Sequence, residues 1–176
     1  MNIIHDLSTG NPPDELNVYI EIPRGSKNKY ELDKDSGLVT LDRTLYTAFA
    51  YPLDYGLVPQ TLSDDGDPLD ALIVQSAEPY YPGIVVPARP VAVIRMVDDG
   101  ENDEKLICVP ADDPQTADVK DLADLPPHLL KELTHFCEHY KDLQQKKVAV
   151  NGIEDRASAV KVIEAAIALY RKKTSS

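Results

Sequence analysis

The chain has no surplus of positive charge, almost no cysteine and no long apolar run. Lysine and arginine number 18 against 30 aspartate and glutamate, a net charge of −12. Nucleic acid is a polyanion and is held by a basic face. The balance therefore excludes general nucleic-acid binding and suits a protein that gathers cations. No apolar stretch approaches the roughly 20 residues a helix needs to cross a bilayer, so no membrane is expected as a partner. The opening Met1-Asn2-Ile3-Ile4-His5-Asp6 lacks the basic start and apolar segment of a signal peptide, and a cytoplasmic location is expected. The two cysteines, Cys108 and Cys137, lie in a strand-like and a helix-like run. Both read as small buried hydrophobes, too few for a disulfide framework or a cysteine zinc site. Repeats, linkers and low-complexity segments are absent as well.

What is present points first to residues 65–70, Asp65-Gly66-Asp67-Pro68-Leu69-Asp70, directly before the apolar run Ala71-Leu72-Ile73-Val74. Gly66 lets the backbone turn sharply and Pro68 stiffens it. Three carboxylates this close repel one another, and a hard divalent cation such as Mg²⁺, Mn²⁺ or Ca²⁺ relieves the repulsion. The competing reading is an exposed acidic turn between two strands, since Asp, Gly and Pro are ordinary turn residues.

With 176 residues, 43% of them hydrophobic, residues 1–176 are long enough to bury one core and are expected to form one domain. Residues 17–110 read as β. Val18, Ile20 and Ile22 alternate with Tyr19 and Glu21 up to Pro23, a half-buried strand. Short strands are expected at 29–33 and 38–41, and further ones near 56–62, 69–75, 84–89, 91–97 and 105–109. Many short strands at close spacing suggest a small closed barrel, because closure removes exposed edges. Residues 120–173 read as helical. Leu129, Leu133, Phe136, Tyr140 and Leu143 recur at helical spacing after Pro126-Pro127. A second helix is expected over about 154–172, with Ala157, Val160, Ile163, Ile167 and Tyr170 on its apolar side.

A second acidic cluster, Asp98-Asp99-Gly100-Glu101-Asn102-Asp103-Glu104-Lys105, follows the strand ending at Met96-Val97. Alone it reads as a solvated hairpin loop. Two acidic turns at strand ends of one small barrel can also lie side by side and line a pocket for two or more metals. Lys105 then makes sense if an anion such as phosphate bridges it to the metals. Lys29, Arg43, Tyr140-Lys141, Tyr51 and Tyr55 add basic and phenolic groups. Singly each is an ordinary ion pair or core tyrosine. Together they are the inventory for a metal-bound polyphosphate.

At this point the sequence resembles the soluble inorganic pyrophosphatases of family I, in their short prokaryotic form. The resemblance rests on Glu21-Ile22-Pro23, Lys29-Tyr30-Glu31, Asp42-Arg43, Tyr51-Pro52-Leu53-Asp54-Tyr55-Gly56, Asp65 to Asp70, Asp98 to Lys105, and His135 to Leu143, in that order along the chain. It implies an α+β fold, a five-stranded OB-type closed β-barrel with two main helices packed outside. It implies hydrolysis of pyrophosphate to two orthophosphates by an activated water attacking phosphorus in line. Several Mg²⁺ per site are implied, with Mn²⁺ or Zn²⁺ as substitutes. By the same resemblance, Asp65, Asp70 and Asp103 would hold the first metal, and Asp70 would reach the second. Asp67 would act on the water between them. Asp98 and Asp103 would hold a metal arriving with substrate, and Glu31 a further one. Lys29, Arg43, Lys105, Tyr140 and Lys141 would bind the phosphoryl groups, Tyr55 would stand on the nucleophile side, and Glu21 and Tyr51 would support the pocket. Choosing Asp98 and Asp103 over Asp99 and Glu101 depends on how the acidic loop is aligned.

Three rivals are weighed. A non-enzymatic cation-binding β-barrel would leave the basic residues without a task, and an EF-hand would need Gly and Glu where Asp70 and Ser76 stand. His135-x-x-Glu138-His139 matches an inverted zincin motif, but a distant third ligand and a cleft are wanting. A single-stranded nucleic-acid barrel lacks its basic aromatic groove. His135, His139 and Asp142 form an outward stripe on the first helix, and the resemblance implies a homo-oligomer, a homohexamer, with that stripe suited to a subunit contact.

Overall fold

The computed structural model describes residues 2–175. A single helical turn, α1 (Ile3–Asp6), is capped by the Asn2 side chain and leads into β1 (Gly10–Asn11) and β2 (Glu15–Ile22). The hairpin of β3 (Asn28–Leu32) and β4 (Val39–Thr44) follows. Next come β5 (Asp54–Leu57), β6 (Asp70–Ile73), β7 (Val85–Asp98), β8 (Glu101–Asn102) and β9 (Lys105–Pro110). Helix α2 (Pro127–His139), strand β10 (Val148–Glu154) and helix α3 (Arg156–Thr174) complete the chain.

Five strands form a ring in the order β2-β5-β6-β9-β7, and β7 pairs back onto β2 to close it. Its neighbours are antiparallel except β6 and β9, which run parallel. This is the expected α+β arrangement, a closed OB-type ring with two main helices packed on it. Closure leaves no free edge among these five strands. Gly56 permits it at one point: a Cβ there would lie 2.2 Å from the Tyr19 carbonyl oxygen across the β2–β5 pair.

The two sides of the ring strands bury different partners. Ala71, Ile73, Leu106 and Cys108 join Ala159, Val162, Ile163 and Ala166 of α3. Leu72, Ile107 and Val109 join Leu133, Phe136 and Cys137 of α2. Strands covered on both faces read as continuous apolar runs, as 71–73 and 106–109 do. A register shift between Ile20 and Ile22 on β2 sends these two isoleucines to opposite clusters.

Several expectations are corrected. The strands expected at 84–89 and 91–97 are one strand, β7, running through Pro90. A register shift between Pro90 and Ala92 absorbs the proline, as a bulge does. The strand expected at 56–62 starts earlier and ends at Leu57. Strand β10 lies in the half read as helical, pairs with β7 through an irregularity at Gly152, and carries α2 on it. Leu143, expected on the apolar stripe of the first helix, is 67% exposed, because α2 ends at His139 and the following turn carries Leu143 off the stripe. The buried face of α3 is Ala159, Val162, Ile163 and Ala166 with Ile167 packed beside it; Ile163 and Ile167 of the expected stripe lie on it, whereas Ala157 is exposed and Val160 only partly buried. Small residues let this helix approach β7 closely, and its weakly amphipathic sequence did not mark the face.

Candidate active site

The β3–β4 hairpin stands apart from the ring as its own two-stranded sheet. It places Lys29 directly opposite Arg43 in register, with Glu31 on the same strand. Asp42 forms an ion pair with both cations, at 3.2 Å from Lys29 Nζ and 2.8 Å from Arg43 Nη1. Lys29 also reaches Glu31 at 3.1 Å.

The acidic turn is built locally. Ser63 N–H donates to the Asp67 carbonyl at 2.8 Å, Gly66 N–H to the Ser63 carbonyl at 3.0 Å, and Asp67 N–H to Asp65 Oδ1 at 2.9 Å. Gly66 takes φ +87°, a left-handed value that favours glycine. The turn delivers Asp70 as the first residue of β6. In the parallel pairing Asp70 lies in register with Lys105, the first residue of β9. That register brings the two acidic turns together.

The acidic loop 98–104 reverses through a two-residue hairpin turn. Asp99 and Gly100 have φ of +52° and +88°, the sign pattern of a tight β-hairpin. Asp99 and Glu101 are turned to solvent, while Asp98 and Asp103 face the cavity. Tyr140 and Lys141 arrive from the end of α2.

These elements enclose a cavity of about 220 Å³. Every expected site residue lines it except Tyr51: Glu21, Lys29, Glu31, Arg43, Tyr55, Asp65, Asp67, Asp70, Asp98, Asp103, Lys105, Tyr140 and Lys141. Tyr51 lies behind the wall, its ring 5.8 Å from that of Tyr55 and 5.0 Å from that of Phe136. At the centre, Lys105 Nζ donates to Asp70 Oδ2 at 2.7 Å, to Asp103 Oδ1 at 2.9 Å and to the Tyr55 hydroxyl at 3.2 Å. The Tyr55 hydroxyl in turn donates to Asp70 Oδ2. Lys141 pairs with Asp98, and Lys34 with Asp67.

Burial sets the protonation pattern. It pushes the Glu21 carboxyl up to about 8, against the Leu32 N–H that donates to it at 2.8 Å. It raises Asp70 against the opposing pull of Lys105. Asp65 is raised by burial too, with the charges of Asp67, Asp103 and Asp70 adding to it against the Asp67 N–H. Burial alone would lower Lys105, but Asp70, Tyr55 and Asp103 outweigh it and keep the ammonium protonated. Tyr55, Tyr51 and Tyr140 are all raised chiefly by burial and remain phenols.

The donor set suits hard divalent ions. Seven carboxyl groups line the cavity beside five cationic groups, and oxygen donors of this kind are what Mg²⁺ takes. Asp98 Oδ1 is buried with no hydrogen-bond partner, an acceptor that a cation would satisfy. Among the described residues no three acidic, histidine or cysteine groups converge as a ready metal cage. Lysine ammoniums stand between the carboxylates instead: Lys105 on Asp70 and Asp103, Lys141 on Asp98, Lys34 on Asp67, Lys29 on Glu31. Each is a positive charge where the carboxylates are prepared for one.

Sequence reasoning missed two members of this network. Asp42, quoted only as part of a motif, ties Lys29 to Arg43. Lys34 had no signal beyond its place on the 33–37 turn. The zincin-like pair lies elsewhere. His135 and His139 are exposed on α2 with ring centroids 4.8 Å apart, and His139 Nδ1 is 2.8 Å from Asp142 Oδ2.

Comparison with known proteins agrees with this architecture. The sequence model of the family described as "Inorganic pyrophosphatase" matches residues 18–171. The inorganic pyrophosphatase of Picrophilus torridus is 45% identical over 173 residues, covering 98% of this chain and 97% of its own. That of Methanosarcina mazei is 49% identical over 161 residues, covering 90% and 95%. The crystal structure of the Thermus thermophilus enzyme superposes with a TM-score of 0.93 at 42% identity, covering 97% of this chain and 99% of that one.

Proposed function

This chain belongs to the inorganic pyrophosphatase family and is an inorganic diphosphatase, a hydrolase of a phosphoanhydride bond; we propose that it acts with Mg²⁺, on pyrophosphate, through the residues that line the 220 Å³ cavity. The single observation that carries this reading is the meeting of carboxylates and cations in one cavity. A plain cation-binding barrel has no use for Lys29, Arg43, Lys105 and Lys141 there.

Asp65, Asp70 and Asp103 would hold a first ion, and Asp70 would also reach a second. Asp98 with Asp103, and Glu31, would hold further ions. Bound divalent ions supply charge neutralisation and acidify a water. Mn²⁺ or Zn²⁺ are substitutes with the same oxygen donors. Asp67 accepts the proton of the attacking water. Lys29, Arg43, Lys105, Tyr140 and Lys141 grip phosphoryl oxygens and offset charge on the leaving phosphate, so the protein mainly positions and neutralises. The Tyr55 hydroxyl orients Asp70 on the nucleophile side. Glu21 holds the backbone of β3 through Leu32, and Tyr51 buttresses Tyr55.

In this reading residues 1–176 act as one domain in the cytoplasm; among the described residues no helix is long and apolar enough to cross a membrane. Six copies assemble, with His135, His139 and Asp142 at a subunit contact. The test of the activity is phosphate release from pyrophosphate with and without millimolar Mg²⁺. Release is expected only with the ion, and folded protein that releases none overturns the reading. Light scattering at neutral pH tests the assembly, and a monomer ends that part.

A further inference from the structure

Lys34 is the cation of the cavity to which no phosphate contact is assigned. It projects from the tip of the β3–β4 hairpin. That tip is stiffened by its own bonds: Asp33 N–H to the Leu38 carbonyl at 2.9 Å, Gly37 N–H to the Asp33 carbonyl at 2.8 Å, and the Ser36 hydroxyl to Asp33 Oδ2 at 2.6 Å. From this fixed base the ammonium crosses to Asp67 on the acidic turn. The hairpin has no strand pairing with the ring sheet and meets β2 through the Leu32 N–H bond to Glu21, whereas the Lys34–Asp67 pair ties it directly to the acidic turn. Both side chains are about half exposed, at 52% and 55%. An ion pair that open to water is weak and exchanges readily.

We infer that Lys34 is a positioning residue that holds Asp67, and with it the acidic turn, in the metal-free protein and yields when divalent ions enter. This rests on the proposed assignment of Asp65 and Asp70 as ligands and Asp67 as the group that acts on water. Asp65, Asp67 and Asp70 line the same cavity as Lys34. Without ions, their mutual repulsion needs a counter-charge, and Lys34 supplies it from the hairpin. An ion between Asp65 and Asp70 repels a nearby ammonium, and Asp67 cannot hold that ammonium and a water with the same oxygen. Lys34 and the water that the ions bring therefore compete for the Asp67 carboxylate. Unlike Lys105, which is buried against Asp70 and Asp103, Lys34 can swing into solvent at little cost.

The test is Mg²⁺ binding to the substrate-free protein by calorimetry, with melting curves to verify folding. Lys34→Gln is expected to tighten binding about two- to five-fold, the scale of an exposed ion pair. Lys34→Arg keeps the charge and should stay near the parent. In an Asp67→Asn background Lys34→Gln should leave Mg²⁺ affinity unchanged, because the competed carboxylate is gone. Weaker or unaltered binding in the Lys34→Gln protein overturns the inference. So does equal tightening in both backgrounds, which would be the general effect of removing a positive charge. The readout needs no substrate, so it stands apart from the phosphate-release assay: a parent protein that binds Mg²⁺ but frees no phosphate sinks the activity and leaves the tie intact.

Discussion

The two helices cover the ring with cores of different character. The cluster under α3 is mainly aliphatic: Leu16, Val18, Ile20, Leu69, Ile73 and Ile163, packed with small alanines. The cluster under α2 holds Tyr51, Phe136 and Tyr140 among its aliphatics, and Tyr30 and Tyr55 pack against it. Tyrosine is apolar along its ring and polar at its tip. On the α2 side the core therefore runs into the candidate site, with Tyr30, Tyr55 and Tyr140 lining the cavity and Tyr51 behind them. On the α3 side the core only holds the strands in register. One side can be altered with a purely energetic effect, whereas changes on the other also reach the chemistry.

The sharpest way to separate the two is Asp67→Asn. It removes the proposed base but keeps its shape and touches neither core. Turnover at saturating Mg²⁺ should fall by about 10²–10⁴, the usual contribution of a general base. The melting curve should hardly move, since losing one charge eases repulsion in the metal-free turn. Mg²⁺ affinity should fall less than in Asp70→Asn, which strips a shared ligand. Near-parental turnover would mean that Asp67 is not the base and that the α2 side owes its character to something else.

The second break comes from the opposite core. Ile163 is fully buried on α3. Ile163→Ala removes methyl groups and leaves a cavity, so stability should drop by about 2–5 kcal/mol. Turnover per folded molecule should be retained below the melting range. If activity falls in step with stability at temperatures where the variant is folded, the aliphatic side is coupled to the site and the contrast fails.

The contrast also explains which parts were legible in the sequence. The site was, because Asp65 to Asp70 and Asp98 to Lys105 concentrate charge on short turns, and turns are where local sequence dictates geometry. Strand β10 was not, because Val148, Val150 and Ile153 are a short alternation broken by Gly152 and lie between two helices. The face of α3 was misjudged because alanine gives almost no contrast between buried and exposed positions. Lys34 was invisible because its partner, Asp67, is brought to it only by the folded hairpin. Proline at 90 looked like a strand end, and only the paired strand β9 reveals the bulge that keeps β7 continuous.

Glu21 lies at the seam of the two cores, between Ile20 of the α3 side and Ile22 of the α2 side. It gives the smallest and most diagnostic effect. Burial raises its carboxyl from 4.5 to about 8 in the folded chain. Between those pH values the folded state binds more protons than the unfolded one, so stability declines as pH rises through the window. Glu21→Gln retains an oxygen for the Leu32 N–H and cannot ionise. Measured in chelator, the variant should match the parent near pH 4.5 and exceed it at pH 8 by about 1–3 kcal/mol, below the ceiling near 5 kcal/mol that the full rise would allow. The pH dependence of the parent should flatten correspondingly in the variant. Identical pH profiles would mean that Glu21 is ionised in the fold. The seam would then be a polar part of the site, and the division between a structural and a chemical side would have to be redrawn through β2.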